Sequence, residues 1–272
     1  MNARNDPLEL PTLIEGRAVC KDAFYDGRFA ALQPRGWGYR SGLDALLLAA
    51  CVPADCTGRI ADLGAGSGVV GLAASLKAER ATVTLVERQA IMAALCQASL
   101  ALPDNAALTS RLTVIEADLG AKRAVREAAG LCDGAFDLVL TNPPFHPISY
   151  RRPPDPVRDN ALFAADDMTL DRWFAVSAAL IAARGRLVTV LRTDLLGAAL
   201  AGLGSRFGGT AVLPVHTRAG APAERIVIAT AKGSRAPLKL LPGLALQTAD
   251  GQPSDLSRAI AGGRATIAGL WP

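Results

Sequence analysis

Asn142, Pro143, Pro144 and Phe145 form a segment, "NPPF", whose residue types can do chemistry together. They follow the apolar run "FDLVL", residues 136–140, which predicts a buried strand. Proline lacks a backbone N–H and holds φ near about −65°, so the two prolines should end this strand in a rigid corner. A carboxamide and an aromatic ring at such a corner are candidates for catalysis, although an ordinary proline turn has the same residues.

The chemistry that suits this corner is activation of a planar amino group. The lone pair of such a group is delocalised, so the nitrogen attacks a methyl sulfonium poorly. Two acceptors, the Asn142 side-chain oxygen and the Pro143 carbonyl, can hold the nitrogen toward tetrahedral geometry. The prolines would fix the carbonyl direction, because an error of about 1 Å can cost ~100-fold in rate. Phe145 would stack on a planar base, which is worth ~1–3 kcal/mol.

A glycine-rich stretch, "ADLGAGSGVVG", lies about 75 residues before that corner, at residues 61–71. Asp62 precedes Gly64, Gly66 and Gly68, and glycine allows both a tight turn and a close approach to a ligand. The following helix would present free N–H groups and its positive dipole end. The pattern fits a dinucleotide and S-adenosylmethionine equally, and a tight turn without ligand is a third interpretation.

Two acidic residues follow the next two strand-like runs. Glu87 ends "TLVE", where a carboxylate can accept hydrogen bonds from both ribose hydroxyls of a nucleoside. This role does not distinguish NAD from S-adenosylmethionine, and a solvated acid is the alternative. Asp118 follows "VIEA", where it can accept from an adenine amino group or cap the following helix.

The elements that must position these residues alternate along the chain. Seven strand-like runs lie at residues 58–64, 81–87, 112–118, 136–141, 185–191, 210–217 and 224–233. Helix-like runs separate the first five, and the loop "RAGAPA" joins the last two. This order predicts an α/β fold with a doubly wound, mostly parallel seven-stranded sheet that ends in an antiparallel hairpin.

Three parts are predicted along the chain. Residues 1–42 form an extension with a strand or hairpin near 28–33, residues 43–235 the α/β domain, and residues 236–272 a tail with one strand and a short helix. A helix is expected over 43–52 and another over 169–183. Between the corner and that second helix lies a proline-rich loop, 146–168, of the length that often forms a binding loop.

Composition indicates a soluble globular protein of 272 residues with a formal net charge of +4 and a pI of about 8.9. The mild basic excess permits a polyanionic partner. The five cysteines are scattered, so a reducing cytoplasm is expected, without a disulfide framework or a metal site. No signal peptide or membrane helix is expected, because apolar runs of the required length are missing from the sequence.

"DLGAGSG", Glu87, Asp118 and "NPPF", in this order, resemble class I S-adenosylmethionine-dependent amino-methyltransferases. "LQPRGWGYRSGLDALLLAA", residues 32–50, and "HTRAGAPAERIVI", residues 216–228, resemble more narrowly the bacterial tRNA-valine adenine N6-methyltransferases. The resemblance implies a Rossmann-like methyltransferase fold, S-adenosylmethionine as cofactor and a tRNA partner with an unpaired adenosine. The cofactor-binding residues that it implies are Tyr39, Arg40, Asp44, Asp62, Gly64, Ala65, Gly66, Gly68, Glu87, Arg88, Asp118, Leu119 and Asn142.

Arginines in the long loop and the late hairpin are predicted to contact RNA phosphates, with a solvated flap as the alternative. They are Arg151, Arg152, Arg158 and Arg218. Neither His146 nor His216 is assigned to catalysis, and no metal, membrane or obligate protein partner is expected.

Three other functions stay open on the sequence. A protein glutamine N5-methyltransferase shares the chemistry, but only about sixty residues, rich in Gly, Arg and Pro, precede Asp62. An NAD-dependent oxidoreductase explains the glycine loop and leaves "NPPF" unexplained. A non-catalytic RNA-binding protein has no need of Asn142 and Phe145.

Overall fold

A computed structural model describes residues 13–145, 151–163, 167–267 and 269–271. The strands are β1 (Leu13–Ile14), β2 (Arg17–Phe24), β3 (Phe29–Pro34), β4 (Arg59–Leu63), β5 (Thr82–Glu87), β6 (Leu112–Glu116), β7 (Phe136–Thr141), β8 (Ile181–Arg192), β9 (Phe207–Arg218), β10 (Ala223–Lys232), β11 (Lys239–Leu240) and β12 (Leu244–Gln247). The α-helices are α1 (Leu43–Ala50), α2 (Val69–Lys77), α3 (Ala90–Leu100), α4 (Arg123–Ala128), α5 (Pro156–Leu162), α6 (Leu170–Leu180), α7 (Leu196–Leu203) and α8 (Asp255–Ala261).

The larger sheet has the strand order β11-β9-β10-β8-β7-β4-β5-β6, and β12 also pairs with β9. Strands β4 to β8 pair in parallel, whereas β10 is antiparallel to both β8 and β9. The predicted doubly wound α/β sheet with a terminal hairpin is therefore confirmed. Seven strands of this sheet match the expected runs, and the two short strands β11 and β12 are additional.

The site is positioned by the point at which the strand order reverses. From β4 the chain adds β5 and β6 on one side and then returns to place β7 on the other. Leu63, the last residue of β4, pairs with Thr141, the last residue of β7. In open α/β sheets, ligands bind at the carboxyl ends of strands beside such a reversal. The glycine loop and the Asn-Pro-Pro corner therefore start from neighbouring strand ends.

Apolar side chains cover both faces of this sheet. Leu47 of α1 and Leu72 of α2 belong to the buried cluster on one face. Phe174 of α6 and Leu187 of β8 belong to the cluster on the other face. Burial on both sides explains why the central strands are continuously apolar rather than alternating.

The N-terminal extension forms a small antiparallel sheet in the order β1-β2-β3. Every residue of β3 is buried, because this strand packs against α3. The buried Asn105 side chain accepts a hydrogen bond from Ala30 N (3.1 Å) and donates to Ala30 O (2.7 Å). The Ser99 hydroxyl accepts from Leu32 N (2.9 Å), so β3 is joined to the main domain by polar contacts as well as apolar ones.

Three features differ from the sequence-based expectation. Helix α1 ends at Ala50 rather than Val52. Helix α6 ends at Leu180 rather than Ala183, because Ile181 already pairs with Phe136 of β7. Arg184 then has a φ of +62°, close to a register shift in the β7–β8 ladder. The tail contributes two strands rather than one, because β9 offers unpaired backbone groups along its outer side.

Within the described parts of the chain, every helix is too short or too polar to pass through a lipid bilayer. The same residues contain no cluster of three or more His, Cys, Asp or Glu side chains suited to a metal ion. All five cysteines are free thiols.

Candidate active site

A cleft of about 230 Å³ lies at the carboxyl edge of the large sheet. It is bounded by the glycine loop, the ends of β5 to β7, the segment before α1, and α5. The sequence-predicted site residues in its wall are Tyr39, Asp44, Asp62, Gly64, Ala65, Gly66, Glu87, Arg88, Asp118, Leu119, Asn142, Pro143 and Pro144. The fold thus brings together predicted residues from five separate segments of the chain.

The glycine loop needs its glycines for two physical reasons. Gly64, Gly66 and Gly68 have φ values of +80°, +55° and +85°, which side chains disfavour. A Cβ on Gly68 would lie 2.7 Å from the Cys96 sulfur, so this position also has no space for a methyl group. Gly68 lies behind the cleft wall and starts α2, and it shapes the loop rather than lining the cavity.

Asp62 is a buried carboxylate at the end of β4. Its Oδ2 accepts a hydrogen bond from Gly71 N (3.1 Å) in the first turn of α2. Burial raises the pKa of Asp62 to about 7; the Gly71 hydrogen bond lowers it, and the negative charge of Glu87 raises it. A cationic ligand group beside Asp62 would favour its ionised form.

Glu87 at the end of β5 is held entirely by backbone donors. Its Oε1 accepts from Arg88 N (2.9 Å) and Gln89 N (2.8 Å), and its Oε2 accepts from Gly66 N (2.9 Å). A carboxylate offers about four lone-pair sites, so about one stays available for a ligand hydroxyl. Glu87 therefore links the glycine loop to the start of α3 and faces the cleft at the same time.

Asp118 lies on the cleft wall after β6. Its Oδ1 accepts from Gly120 N (2.8 Å), which forms a local turn. Helix α4 begins at Arg123 with Lys122 as its N-cap, so Asp118 does not cap that helix. The capping alternative from the sequence is therefore wrong, and one carboxylate oxygen of Asp118 stays without a partner among the described residues.

The Asn-Pro-Pro corner follows β7 as expected. Asn142 is half-buried and lines the cleft, and its side chain makes no hydrogen bond to any described residue. The Pro143 carbonyl accepts from Phe145 N (2.9 Å), which uses one of its two lone pairs. One acceptor site on Pro143 and the whole Asn142 carboxamide are left for a substrate.

Phe145 lies beside the cavity wall rather than in it, and Trp173 of α6 supports its ring. The two ring centroids are 6.0 Å apart with an interplanar angle of 85°, an edge-to-face contact. Trp173 Nε1 donates to Thr141 Oγ1 (3.2 Å), which donates to Leu63 O (2.8 Å). Trp173 itself lines the cleft, and an aromatic residue in the apolar pattern of α6 gave no signal of this role.

Tyr39, Asp44 and Arg225 form one rim of the cleft. Arg225 Nε of β10 lies 2.6 Å from Asp44 Oδ1, which connects the terminal hairpin to α1. Burial raises the pKa of Tyr39; the charge of Asp44 raises it further, whereas Arg225 and Arg158 lower it. Arg225 and Arg158 therefore lie near the same tyrosine at the mouth of the cleft.

Arg40 is placed elsewhere. Its Nη2 lies 2.6 Å from Asp22 Oδ2, and its Nη1 contacts Cys20 Sγ at 2.8 Å, so its guanidinium joins the N-terminal sheet. It does not line the cleft, and the geometry gives no support to the predicted cofactor contact.

The four predicted RNA-contacting arginines are all exposed. Arg152 lies 3.1 Å from Asp159 and over the Phe163 ring at 5.0 Å. The side chains of Arg151, Arg158 and Arg218 form no ion pair with a described residue. Arg218 ends β9, at the same sheet edge as the cleft but three strands from β7. His146 lies outside the described residues, and His216 Nδ1 contacts Ala221 O (2.6 Å) within the hairpin.

Helix α5, which forms part of one cleft wall, was not expected from the sequence. Its signal was present: Asp155 accepts from Arg158 N (2.7 Å) as the N-cap, and Pro156 occupies the first helical position. The other Asp155 contacts are to Gly38 N (3.0 Å) and Arg17 Nη1 (3.1 Å). The helix is thereby attached to the N-terminal sheet.

Residues 42–215, nearly two thirds of the chain, match the methyltransferase small domain. The chain belongs to the methyltransferase small domain family. Membership of this family confirms the prediction of S-adenosylmethionine as cofactor and contradicts the oxidoreductase alternative. The residues of the cleft fit that cofactor, because the strained glycine loop, a buried acid and a backbone-held carboxylate converge on one cavity.

Two curated relatives match parts of the chain. One is a ribosomal RNA large subunit methyltransferase G from Pseudomonas paraeruginosa, 39% identical over 88 residues, which are 32% of this chain and 21% of the relative. Another is a tRNA1(Val) (adenine(37)-N6)-methyltransferase from Shewanella amazonensis, 32% identical over 113 residues, which are 40% of this chain and 43% of the relative. The matches therefore span less than half of each relative.

A solved structure is similar over most of the chain. It is a predicted O-methyltransferase from Agrobacterium tumefaciens, 35% identical, with a TM-score of 0.70 and coverage of 82% of this chain and 98% of that one. A protein from M. jannaschii solved with S-adenosylmethionine has a TM-score of 0.51 at 11% identity, covering 79% of this chain and 85% of that one. The chain therefore has the Rossmann-like methyltransferase fold that was expected from the sequence.

Proposed function

We propose that this chain is an S-adenosylmethionine-dependent methyltransferase that methylates the exocyclic N6 amino group of an adenosine in RNA, in a tRNA anticodon loop. One observation carries the proposal: the Asn142 carboxamide, which bonds to none of the described residues, lies in the cofactor cleft, at the end of the strand next to the glycine loop. The named activities of the Pseudomonas and Shewanella relatives support an RNA substrate.

The corner suits an amine acceptor because it offers two carbonyl oxygens, one from the Asn142 side chain and one from the Pro143 backbone. The Asn142 side-chain oxygen and the Pro143 carbonyl oxygen would each accept a hydrogen bond from one N–H of the adenine amino group. When bound, S-adenosylmethionine supplies the methyl group on a sulfonium sulfur, which leaves as a neutral thioether. The amine nitrogen gains the methyl group and then loses one proton, which is acidic once the nitrogen is alkylated. This chemistry requires positioning more than a strong base.

The surface around the mouth of the cleft suits a polyanion. Arg158 and Arg225 lie near Tyr39 on one rim, and Arg151 is exposed beside the start of α5. An adenosine in an anticodon loop is unpaired, so little energy is needed to turn it out of a stack. We therefore assign Arg151, Arg152, Arg158 and Arg218 to phosphate contacts on this face.

A glutamine side-chain amide is the second candidate acceptor, because the Asn-Pro-Pro corner would treat it in the same way. The named activities of the Pseudomonas and Shewanella relatives favour RNA over a protein amide. The relative from Agrobacterium makes a hydroxyl acceptor a further outcome to test.

The test is methyl transfer from labelled S-adenosylmethionine to total tRNA, with nucleoside mass spectrometry to identify the product. N6-methyladenosine is expected in the tRNA, and its loss is expected in tRNA from cells that lack the protein. Label in a protein fraction or on a ribose oxygen would contradict the proposal.

A pair of variants then tests the corner itself. Asn142→Ala should lower kcat by roughly 100- to 1,000-fold, the cost of removing one preorganised polar group from an active site. Asn160→Ala is the control, because Asn160 is a second carboxamide in the cleft wall that belongs to α5 rather than to the corner. Full activity of Asn142→Ala would refute the amine-activation argument, whatever the acceptor is.

A further inference from the structure

Gln33 is a completely buried amide on β3, in the N-terminal sheet, that faces the glycine loop. Its Oε1 accepts from Ser41 N (3.1 Å) and from the Ser67 hydroxyl (3.0 Å). Its Nε2 donates to Ser41 O (2.9 Å). The Gln33 side chain therefore bonds to both backbone groups of Ser41 and to the Ser67 hydroxyl of the glycine loop.

The two serines complete a closed network. The Ser41 and Ser67 hydroxyl oxygens are 3.2 Å apart. Because the Ser67 proton is given to Gln33, the Ser41 hydroxyl is the donor between them. Ser41 lines the cleft next to Gly42, and Ser67 lies between Gly66 and Gly68. The network therefore joins the segment before α1 to the glycine loop, two neighbouring parts of the cleft wall.

An amide is the side chain that suits the position of Gln33 in this network. Ser41 presents one N–H and one C=O to the same side chain, so its partner must accept and donate at once. A carboxylate could only accept, and an apolar residue would leave both backbone groups buried without a partner, which is costly. Rotation of the amide by 180° would place its NH₂ against the Ser41 N–H, so the network also fixes the amide orientation.

The other polar contacts of the segment between β3 and α1 lead away from the glycine loop, for example from Arg35 N and Trp37 Nε1 to Ala18 O. Residues 35–42 contain no helix or strand. Gly38 N is bonded to Asp155, and Arg40 is drawn toward Asp22, away from the cleft. The contacts of Ser41 with Gln33 and Ser67 are therefore the polar links, within the described residues, that hold this segment against the glycine loop.

We propose that Gln33 is a positioning residue of the cofactor site, which sets the distance between the segment 39–42 and the glycine loop before S-adenosylmethionine binds. The small N-terminal sheet, which carries Gln33, then contributes to cofactor binding. A preorganised cleft loses less entropy on binding, so the network contributes to affinity without touching the ligand. This inference rests on the cofactor, and it is independent of the acceptor.

Asn105 provides a matched control for the test. It is also a fully buried amide that holds β3, through Ala30, and it does not line the cleft. Gln33→Met and Asn105→Leu each replace a buried amide by an apolar side chain of similar size. Both should lower the melting temperature, and only Gln33→Met should weaken binding of S-adenosylmethionine, by about tenfold, the factor for about 1.4 kcal/mol.

Isothermal titration calorimetry of the full chain with S-adenosylmethionine measures this difference without any RNA. Hydrogen exchange should show faster exchange of the amides of 39–42 in Gln33→Met than in Asn105→Leu. Equal affinities and equal exchange in the two variants would overturn the proposal. If Gln33→Met does not fold, Ser67→Ala removes only the hydroxyl in the network, and it should weaken binding about threefold; unchanged affinity there would overturn the proposal too.

A failure of the RNA proposal would leave these binding results intact, because no acceptor is present. Conversely, normal cofactor affinity in Gln33→Met together with active transfer to tRNA would reject the role of Gln33 alone.

Discussion

The two halves of the cleft differ in how their polar groups are satisfied. In the cofactor half, Glu87 accepts three backbone hydrogen bonds and Asp62 accepts one from Gly71. In the acceptor half, the side chains of Asn142, Arg151 and Arg158 make no hydrogen bond or ion pair to any described residue. The fold itself therefore satisfies the polar groups of the cofactor half, whereas these three side chains of the acceptor half are left for a substrate.

The two halves should therefore respond differently to mutation. Changes in the cofactor half should affect stability and cofactor affinity together, because its side chains also hold the loop and helix starts. Changes in the acceptor half should affect substrate binding or turnover with little loss of stability. Four measurements distinguish the two halves, and the first concerns the glycine loop.

The glycine loop should be the least tolerant part of the cofactor half. Gly68→Ala adds a methyl group 2.7 Å from Cys96 Sγ, at a φ of +85°. The conformational cost of about 1–2 kcal/mol and the overpacking cost of about 1–3 kcal/mol sum to roughly 3 kcal/mol in the free energy of unfolding. Urea denaturation measures this loss.

Gly134→Ala separates the two causes. Gly134 has a φ of +66°, and a Cβ there would meet no atom within 4 Å. This variant should lose only about 1 kcal/mol, the conformational part. Equal losses at both positions would show that close packing does not restrict the glycine loop.

The second measurement uses the titration of Asp62. Burial raises the pKa of Asp62 to about 7, so the folded chain keeps this proton between about pH 4 and 7, where the unfolded chain has released it. Protonation then favours the folded state, and the contribution of Asp62 to the free energy of unfolding falls as pH rises. The expected fall is roughly 2–3 kcal/mol between pH 5 and pH 8.

Asp62→Asn should lack this part of the pH dependence. The difference between wild type and variant in urea denaturation, taken at each pH, removes the contribution of all other groups that titrate equally in both. A difference that stays constant from pH 5 to pH 8 would mean that Asp62 is ionised in the folded chain throughout.

The sequence predicted which strand ends meet at the cleft, and it did so for a physical reason. Asp62, Glu87, Asp118 and Asn142 each end or follow a continuous apolar strand, and parallel strands bring their carboxyl ends to one edge. Local sequence thus placed these side chains together without knowledge of any distant contact. The same reasoning explains why the strand order and the terminal hairpin were predictable.

The sequence did not predict several contacts, because they join residues that are far apart in the chain. Arg40 was expected at the cofactor and instead pairs with Asp22 of β2, the strand that pairs with β3. Gln33 is 34 residues from Ser67, and Asp155 is 138 residues from Arg17. No periodicity in the sequence carries information about such pairs, although the Asp155-Pro156 capping signal of α5 was readable locally.

The third measurement concerns Asp155, which joins α5 to Gly38 and to Arg17 of the N-terminal sheet. Asp155→Ala removes the N-cap of α5 and its contacts with Gly38 and Arg17, so a loss of about 1–2 kcal/mol in stability is expected. Because α5 lines the cleft, affinity for S-adenosylmethionine should fall a few-fold as well.

Ser254→Ala is the control for this measurement. Ser254 caps α8 by accepting from Ser257 N (3.1 Å), and it does not line the cleft. A similar loss of stability with unchanged cofactor affinity is expected there. If both variants bind S-adenosylmethionine like wild type, α5 is not part of the cofactor site.

The smallest effect belongs to the acceptor half. Arg158→Gln should weaken RNA binding about two- to fivefold at low salt and reduce the slope of log K against log[salt] by about 1, because one phosphate contact is lost. Arg80→Gln is the matched control, since Arg80 is exposed, forms no ion pair with a described residue, and precedes β5 at the opposite edge of the sheet. Filter binding of tRNA between 50 and 200 mM salt, with thermal melts of both variants, measures the difference. The melting temperature should stay unchanged in both variants. An identical salt slope for the two variants would show that α5 does not contact RNA.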